Sequence, residues 1–123
     1  MSSIARTITK RLQSFAFAFS GLGAFLRSEP NGRIHLVATV AVIILAVVFH
    51  CNTGEWALLV IVMAMVWCTE LLNTAIEKTM DHLSPDIHPR VKWIKDVAAG
   101  AVLVAAIAAA VVGGLIFIPK FAA

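Results

Sequence analysis

The sequence predicts an all-α membrane protein: an N-terminal amphipathic surface helix followed by three transmembrane helices, in one domain over residues 1–123. Three observations predict it. Apolar residues fill 60% of 123 positions, more than a soluble chain this short can bury. Three apolar runs, 34–51, 56–76 and 97–118, each approach the ~20 residues that cross ~30 Å of hydrocarbon. Lipid offers the backbone no hydrogen-bond partners, so such runs are helices and not open strands.

The elements follow in order. Over residues 4–27, Ile4, Ile8, Leu12, Phe15, Phe19, Leu22 and Leu26 recur at three- and four-residue steps, while Arg6, Lys10, Arg11 and Gln13 lie off that stripe. Such a helix fits a membrane surface, apolar face down and basic face toward anionic headgroups. "RSEPNGR" ends it at Pro30 and Gly32. The first span, 34–51, is rich in β-branched residues, and "HCNTGE" turns the chain into the second, 56–76. Residues 77–96, with Pro85 and Pro89, form a polar cytoplasmic loop, and 97–118 is a third span without a charge. That span, "VAAGAVLVAAIAAAVVGG", is built of small residues that let helices approach closely, and it is expected to pack centrally. Trp56, Trp93 and Phe117 fit interfacial belts, and Trp67, deeper in its span, fits packing.

Basic residues set the orientation. Arg6, Lys10, Arg11, Arg27 and Arg33 precede the first span, and Lys78, Arg90, Lys92 and Lys95 separate the second from the third. The turn at 50–55 has none and the C-terminal tail only Lys120. The expected topology is multi-pass, with the N-terminus and the 77–96 loop in the cytoplasm and the C-terminus outside. The first long apolar run starts after Arg33, too late for a cleavable signal peptide. Cys51 and Cys68 lack metal-ligand spacing and read as packing residues. The net charge of +3 comes without a basic stripe interleaved with aromatics, so no nucleic-acid partner is expected.

The carboxylates carry the functional signal. All seven except Glu55 fall on the expected cytoplasmic side or in the adjoining half of a span. Glu70, Asn73, Glu77 and Asp81 lie within roughly an 80° arc of one helix face. A charged residue in a span costs on the order of 2.5–3.5 kcal/mol, so an intramembrane acid reads as functional by default. Carboxylates and an amide at a cytoplasmic membrane edge suit Mg²⁺, which takes one or two carboxylates and completes its shell with water and phosphate oxygens. Lys95 beside Asp96 offers both charge signs to a nucleotide, and the deeper Glu70 suits a general base for a lipid hydroxyl. Blander roles stand beside these. Glu77 would pair with a lysine, Asp81 and Lys78 would be solvated or paired, and Asn73 would link helices. His35 would snorkel or pair with Glu29, and Asp86 would begin a turn. No P-loop, H-E-x-x-H or nucleophile elbow occurs.

Three ordered motifs now carry a resemblance: "SEPNGRIH" around Glu29, "ELLNTAIE" from Glu70 to Glu77, and "HPRVKWIKDVAAGAV" from His88 to Val102, with "SFAFAFSGL" in support. Over nearly its whole length the chain resembles the bacterial integral-membrane diacylglycerol kinase and undecaprenol kinase family. The resemblance implies a homotrimer at the bacterial inner membrane, with sites shared between subunits, that transfers the γ-phosphate of ATP with Mg²⁺ to a lipid alcohol. It implies Glu70 as the base and Glu29 and Glu77 as holders of Mg²⁺ and phosphates, supported by Asn73. It places Lys95, Asp96, Asp86, Ile87 and His88 at the nucleotide, with Lys10 or Arg11. Phe17 stands where some relatives carry a tyrosine near the nucleotide. Lipid contacts are implied at Glu70, Ser14, Phe15, Phe19 and Ala99. "SPDIHP" and "KDVAAGAV" lean toward undecaprenol rather than diacylglycerol as acceptor. The alternative is a small oligomeric membrane transporter or ion pathway using Glu70.

Overall fold

The computed structural model describes residues 2–86 and 88–123. It contains four helices and, among the described residues, no strand: α1 (Ser3–Ser28), α2 (Pro30–Val48), α3 (Thr53–Leu83) and α4 (Pro89–Ala122). Helices α2, α3 and α4 are each long and apolar enough to cross a membrane. The chain divides between Val37 and Ala38 into two compact units.

The first unit holds α1 and the start of α2. The Ser2 side chain caps α1 by accepting from the Ala5 amide at 3.1 Å. Hydroxyls of Thr7, Thr9, Ser14 and Ser28 donate to carbonyls four residues back, so these polar side chains satisfy themselves within the helix. The helix stops because Pro30 drives the preceding residue out of helical geometry: Glu29 is extended, at φ −111° and ψ 118°. Pro30 then opens α2, where its missing N–H is no loss. Gly32 lies inside α2 and not in a break, and the reason is close approach. A Cβ there would come 2.8 Å from the ring of the buried Phe25. Arg33 donates from Nη1 to the carbonyls of Leu26 and Arg27, at 3.3 and 3.0 Å, satisfying orphan acceptors at the end of α1.

The second unit is a three-helix assembly. Helix α2 ends with the His50 amide bonded to the Val47 carbonyl and the Cys51 amide to the Ala46 carbonyl, the pair of bonds of a Schellman cap. The cap puts His50 at φ 53°, a left-handed conformation usually left to glycine. Asn52 starts α3 with a capping box. It accepts from the Glu55 amide at 2.9 Å, while Glu55 accepts from the Asn52 amide at 3.0 Å. Lys120 near the end of α4 reaches Glu55 at 3.1 Å. Below this turn lies the tightest packing: Ala46, Leu59, Ile116 and Phe117, with Phe49, Cys51 and Trp56 against them. Phe49 sets its ring edge-on to Phe121 at 4.6 Å.

Helix α3 packs along α4. Its buried residues, Leu59, Val62, Val66 and Glu70, form one stripe at steps of three and four. Ala98 and Ala105 are the buried small residues of α4, as close packing requires. Gly100 and Gly113 take no part in this, since a Cβ at either would meet nothing within 4 Å.

Several expectations need correction. The 77–96 stretch is mostly helical and, among the described residues, only 84–86 and 88 break it, because hydropathy marks where lipid would end and not where the hydrogen-bond ladder ends. Helix α2 likewise begins at Pro30 and stops at Val48, displaced from the apolar run 34–51 by its two caps. Phe117 belongs to the core and not to a belt, and Cys68 is exposed, unlike Cys51, which packs against the core. Trp56 is half-buried against the core, whereas Trp93 is exposed.

Candidate functional site

In the second unit the candidate site starts from the α3 stripe. Continuing that stripe beyond Val66 brings Glu70 to a buried position, 6% exposed. One turn later Asn73 is half-buried, and its Nδ2 donates to Oε1 of Glu77 at 3.4 Å. The other amide atom, Asn73 Oδ1, is buried and has no hydrogen-bond partner. An orphan acceptor costs about 1–3 kcal/mol of desolvation. Its persistence beside a carboxylate is therefore a feature to explain.

Asp81, on the same face, leaves this group and crosses to α4, where it takes Lys95 at 2.5 Å. Lys92 pairs with Asp96 one helical turn on. These two ion pairs border a shallow groove of about 190 Å³ at the junction of α3 and α4, lined also by Ser84, Asp86 and His88. His88 caps α4, its Nδ1 accepting from the Arg90 amide at 3.1 Å, so the neutral ring carries its proton on Nε2. Pro89 at the first helical position fixes the start of α4, and with it the positions of Lys92, Lys95 and Asp96.

The structure thus gathers Asp86, His88, Lys95 and Asp96 into one groove, and Glu70, Asn73 and Glu77 along one face of α3. Ile87 lies outside the described residues. Sequence reasoning did not bring Lys92 to the groove, and Asp81, expected to be solvated or paired, is paired with Lys95. The i, i+4 spacing of Lys92 and Asp96 carried a signal for the first, whereas the Asp81–Lys95 pair depends on how α3 meets α4. In the first unit Lys10, Arg11, Ser14, Phe15, Phe17 and Phe19 are all exposed on α1, and Glu29 is half-buried on the link to α2. Ala99, in the second unit, is exposed on α4.

Among the described residues no three His, Cys, Asp or Glu side chains converge as a metal cage. Mg²⁺ does not require one: it takes one or two carboxylates and keeps water or phosphate oxygens for the rest. Glu77, with the orphan Asn73 Oδ1 one turn away, supplies hard oxygen donors of that kind.

The model of the family described as prokaryotic diacylglycerol kinase matches residues 16–117. The chain is 37% identical over 113 residues to the undecaprenol kinase of Bacillus subtilis, covering 92% of each. It is 41% identical over 109 residues to a diacylglycerol kinase of Synechocystis, covering 88% of this chain and 62% of that one. A diacylglycerol kinase of Pseudomonas aeruginosa is 34% identical over 94 residues, 76% of each chain. With its three apolar helices and its acidic α3 face, the chain belongs to the prokaryotic diacylglycerol kinase family.

Proposed function

We propose that this protein is a lipid kinase of the bacterial inner membrane, moving the γ-phosphate of ATP to the hydroxyl of a membrane lipid alcohol. The observation that carries the reading is a buried Glu70 followed on the same helix by the Asn73–Glu77 pair. Helix α3 is about 46 Å long at 1.5 Å per residue, well beyond a ~30 Å hydrocarbon layer. Counted from Glu55, Glu70 lies about 23 Å along the axis, within the layer, and Glu77 about 33 Å, beyond it. A base inside the layer and phosphate-binding groups outside it match a greasy alcohol and a water-soluble nucleotide.

Glu70 takes the hydroxyl proton as the alcohol oxygen bonds to the γ-phosphorus and the bond to the β-phosphate oxygen breaks, releasing ADP. Glu77 and Asn73 would hold Mg²⁺, which neutralises phosphate charge when bound. Lys95, Asp96, Asp86 and His88 orient the nucleotide at the groove. Positioning and charge neutralisation account for most of the catalysis such a transfer needs. For Lys95 to meet phosphate, its pair with Asp81 must open or be shared.

The wider reading has α1 as an amphipathic surface helix in contact with lipid through Ser14, Phe15 and Phe19. The N-terminus and the 77–96 stretch face the cytoplasm, and the C-terminus faces out. Three chains assemble as a homotrimer. Apolar residues exposed along α2 and α4, such as Ile44, Val47, Val104 and Ile107, fit lipid or a neighbouring chain. The favoured acceptor is undecaprenol over diacylglycerol, supported by the relative of that name that covers 92% of both chains. The transporter alternative finds no support, since the family and the three relatives are named as kinases.

The test is direct. Purified protein in lipid or detergent receives labelled ATP, Mg²⁺ and either lipid alcohol, and label is followed into the lipid. Transfer that disappears in Glu70→Gln, with nucleotide binding retained, supports the reading. Absence of labelled lipid with both alcohols rejects it, and the ratio of kcat/KM for the two alcohols decides the acceptor.

A further inference from the structure

We infer that Trp67 and Thr39 form a positioning pair for Glu70 and thereby govern turnover; the inference rests on the kinase reading above. The indole Nε1–H of Trp67 donates to the Thr39 hydroxyl at 2.8 Å, half-buried, and joins α3 to α2 across 28 positions of sequence. An indole N–H facing hydrocarbon finds no other acceptor, so the bond holds the ring where lipid would not.

Trp67 precedes Glu70 by three residues, and side chains three apart on a helix are neighbours. Side chains on a helix lean toward its N-terminus, so the Glu70 carboxylate leans over the turn that carries Val66 and Trp67. Val66 and Glu70 are both buried, which leaves little slack around the carboxylate. The densely packed cluster at Leu59 lies eleven residues away, about 16 Å along the axis, too far to fix this turn. The link to Thr39 is a polar contact that ties α3 to α2 within one turn of Glu70.

A general base acts only within hydrogen-bond reach of the proton it takes. Displacement of reacting groups by about 1 Å can cost 10²-fold in rate. The groove residues Asp86, His88 and Lys95 lie farther along the chain, and neither Trp67 nor Thr39 lines that groove. Cutting it therefore lowers kcat and spares the KM for ATP. A merely structural contact would not split the two.

The experiment compares wild type, Glu70→Gln, Trp67→Phe, Thr39→Val, Thr39→Ser and the double variant Trp67→Phe/Thr39→Val in the labelled-lipid assay, with melting temperature and oligomer size measured for each. Trp67→Phe keeps the ring and removes the donor, and Thr39→Val keeps the shape and removes the acceptor. Each is expected to lower kcat about 10- to 100-fold with the ATP KM within about two-fold of wild type. Thr39→Ser is expected to restore most of the rate, and the double variant to be no slower than the slower single one. Full kcat in both single variants overturns the proposal, as do multiplying losses in the double variant. A KM that rises in step, or a lost oligomer or melting transition, shows the bond to be only structural and also overturns it. If wild type makes no labelled lipid, or Glu70→Gln is as fast as wild type, the kinase reading fails and this inference with it. If those controls behave and the bond variants are fully active, only this inference fails.

Discussion

The two ends of the α3–α4 pair are built on opposite terms. At the turn end, around residues 46–59 and 116–121, hydrophobic side chains interlock, the Asn52–Glu55 capping box closes on itself, and Lys120 neutralises Glu55. At the loop end, residues 70–96, a carboxylate is buried, an amide oxygen is orphaned, and ion pairs border an open groove. One end places its polar groups where they are satisfied within the chain. The other retains one buried amide oxygen, Asn73 Oδ1, with no hydrogen-bond partner. Under the proposed function, stability and chemistry divide along a single helix pair, as expected where a site holds groups that cost the fold energy.

Substitutions at each end test that division. The largest expected effect is at the loop end: Glu70→Gln should slow lipid phosphorylation about 10³-fold, or ~4 kcal/mol of barrier, without lowering the melting temperature. A melting temperature that falls with the activity would make Glu70 a fold residue and erase the contrast. Leu59→Ala at the turn end should do the reverse. It should lower stability by about 3 kcal/mol while the properly folded fraction keeps its kcat and KM. Denaturant titration and assay of the same samples would decide, and a selective loss of kcat would contradict the segregation.

Asn73→Leu sharpens the comparison, because it removes an unsatisfied buried acceptor while keeping the volume. The expected result is about 10²-fold lower kcat/KM with unchanged or higher stability. If stability falls and kcat/KM holds, Asn73 is a link between helices and nothing more. The smallest effect is at the turn end again. His50 is held at φ 53°, so His50→Gly should raise stability by about 1 kcal/mol and leave activity alone. No gain in a thermal melt would mean that His50 makes contacts worth its strained backbone.

Much of this was legible in the sequence, for identifiable reasons. Apolar runs of spanning length announce helices, since lipid permits little else. The shared face of Glu70, Asn73 and Glu77 follows from helical period alone. The resemblance assembled from the three motifs agrees with the family match over residues 16–117. Other features were not legible. Hydropathy did not reveal that α3 and α4 extend through most of 77–96, because exposed polar residues prolong a helix as readily as apolar ones. The small residues of the last run suggested close packing, but not that Ala98 and Ala105 are the ones buried while Gly100 and Gly113 face open space.

Local rules therefore determined this protein's helices, the stop that Pro30 imposes on Glu29, and the acid-bearing face of α3, since each depends on neighbours within a few residues. Only the tertiary structure decided that Glu70 is the buried acid, that Asp81 takes Lys95, and that Trp67 reaches Thr39. Those outcomes depend on which side of one helix meets another. That orientation is set by packing between positions far apart in the chain, and no periodicity within a single segment encodes it.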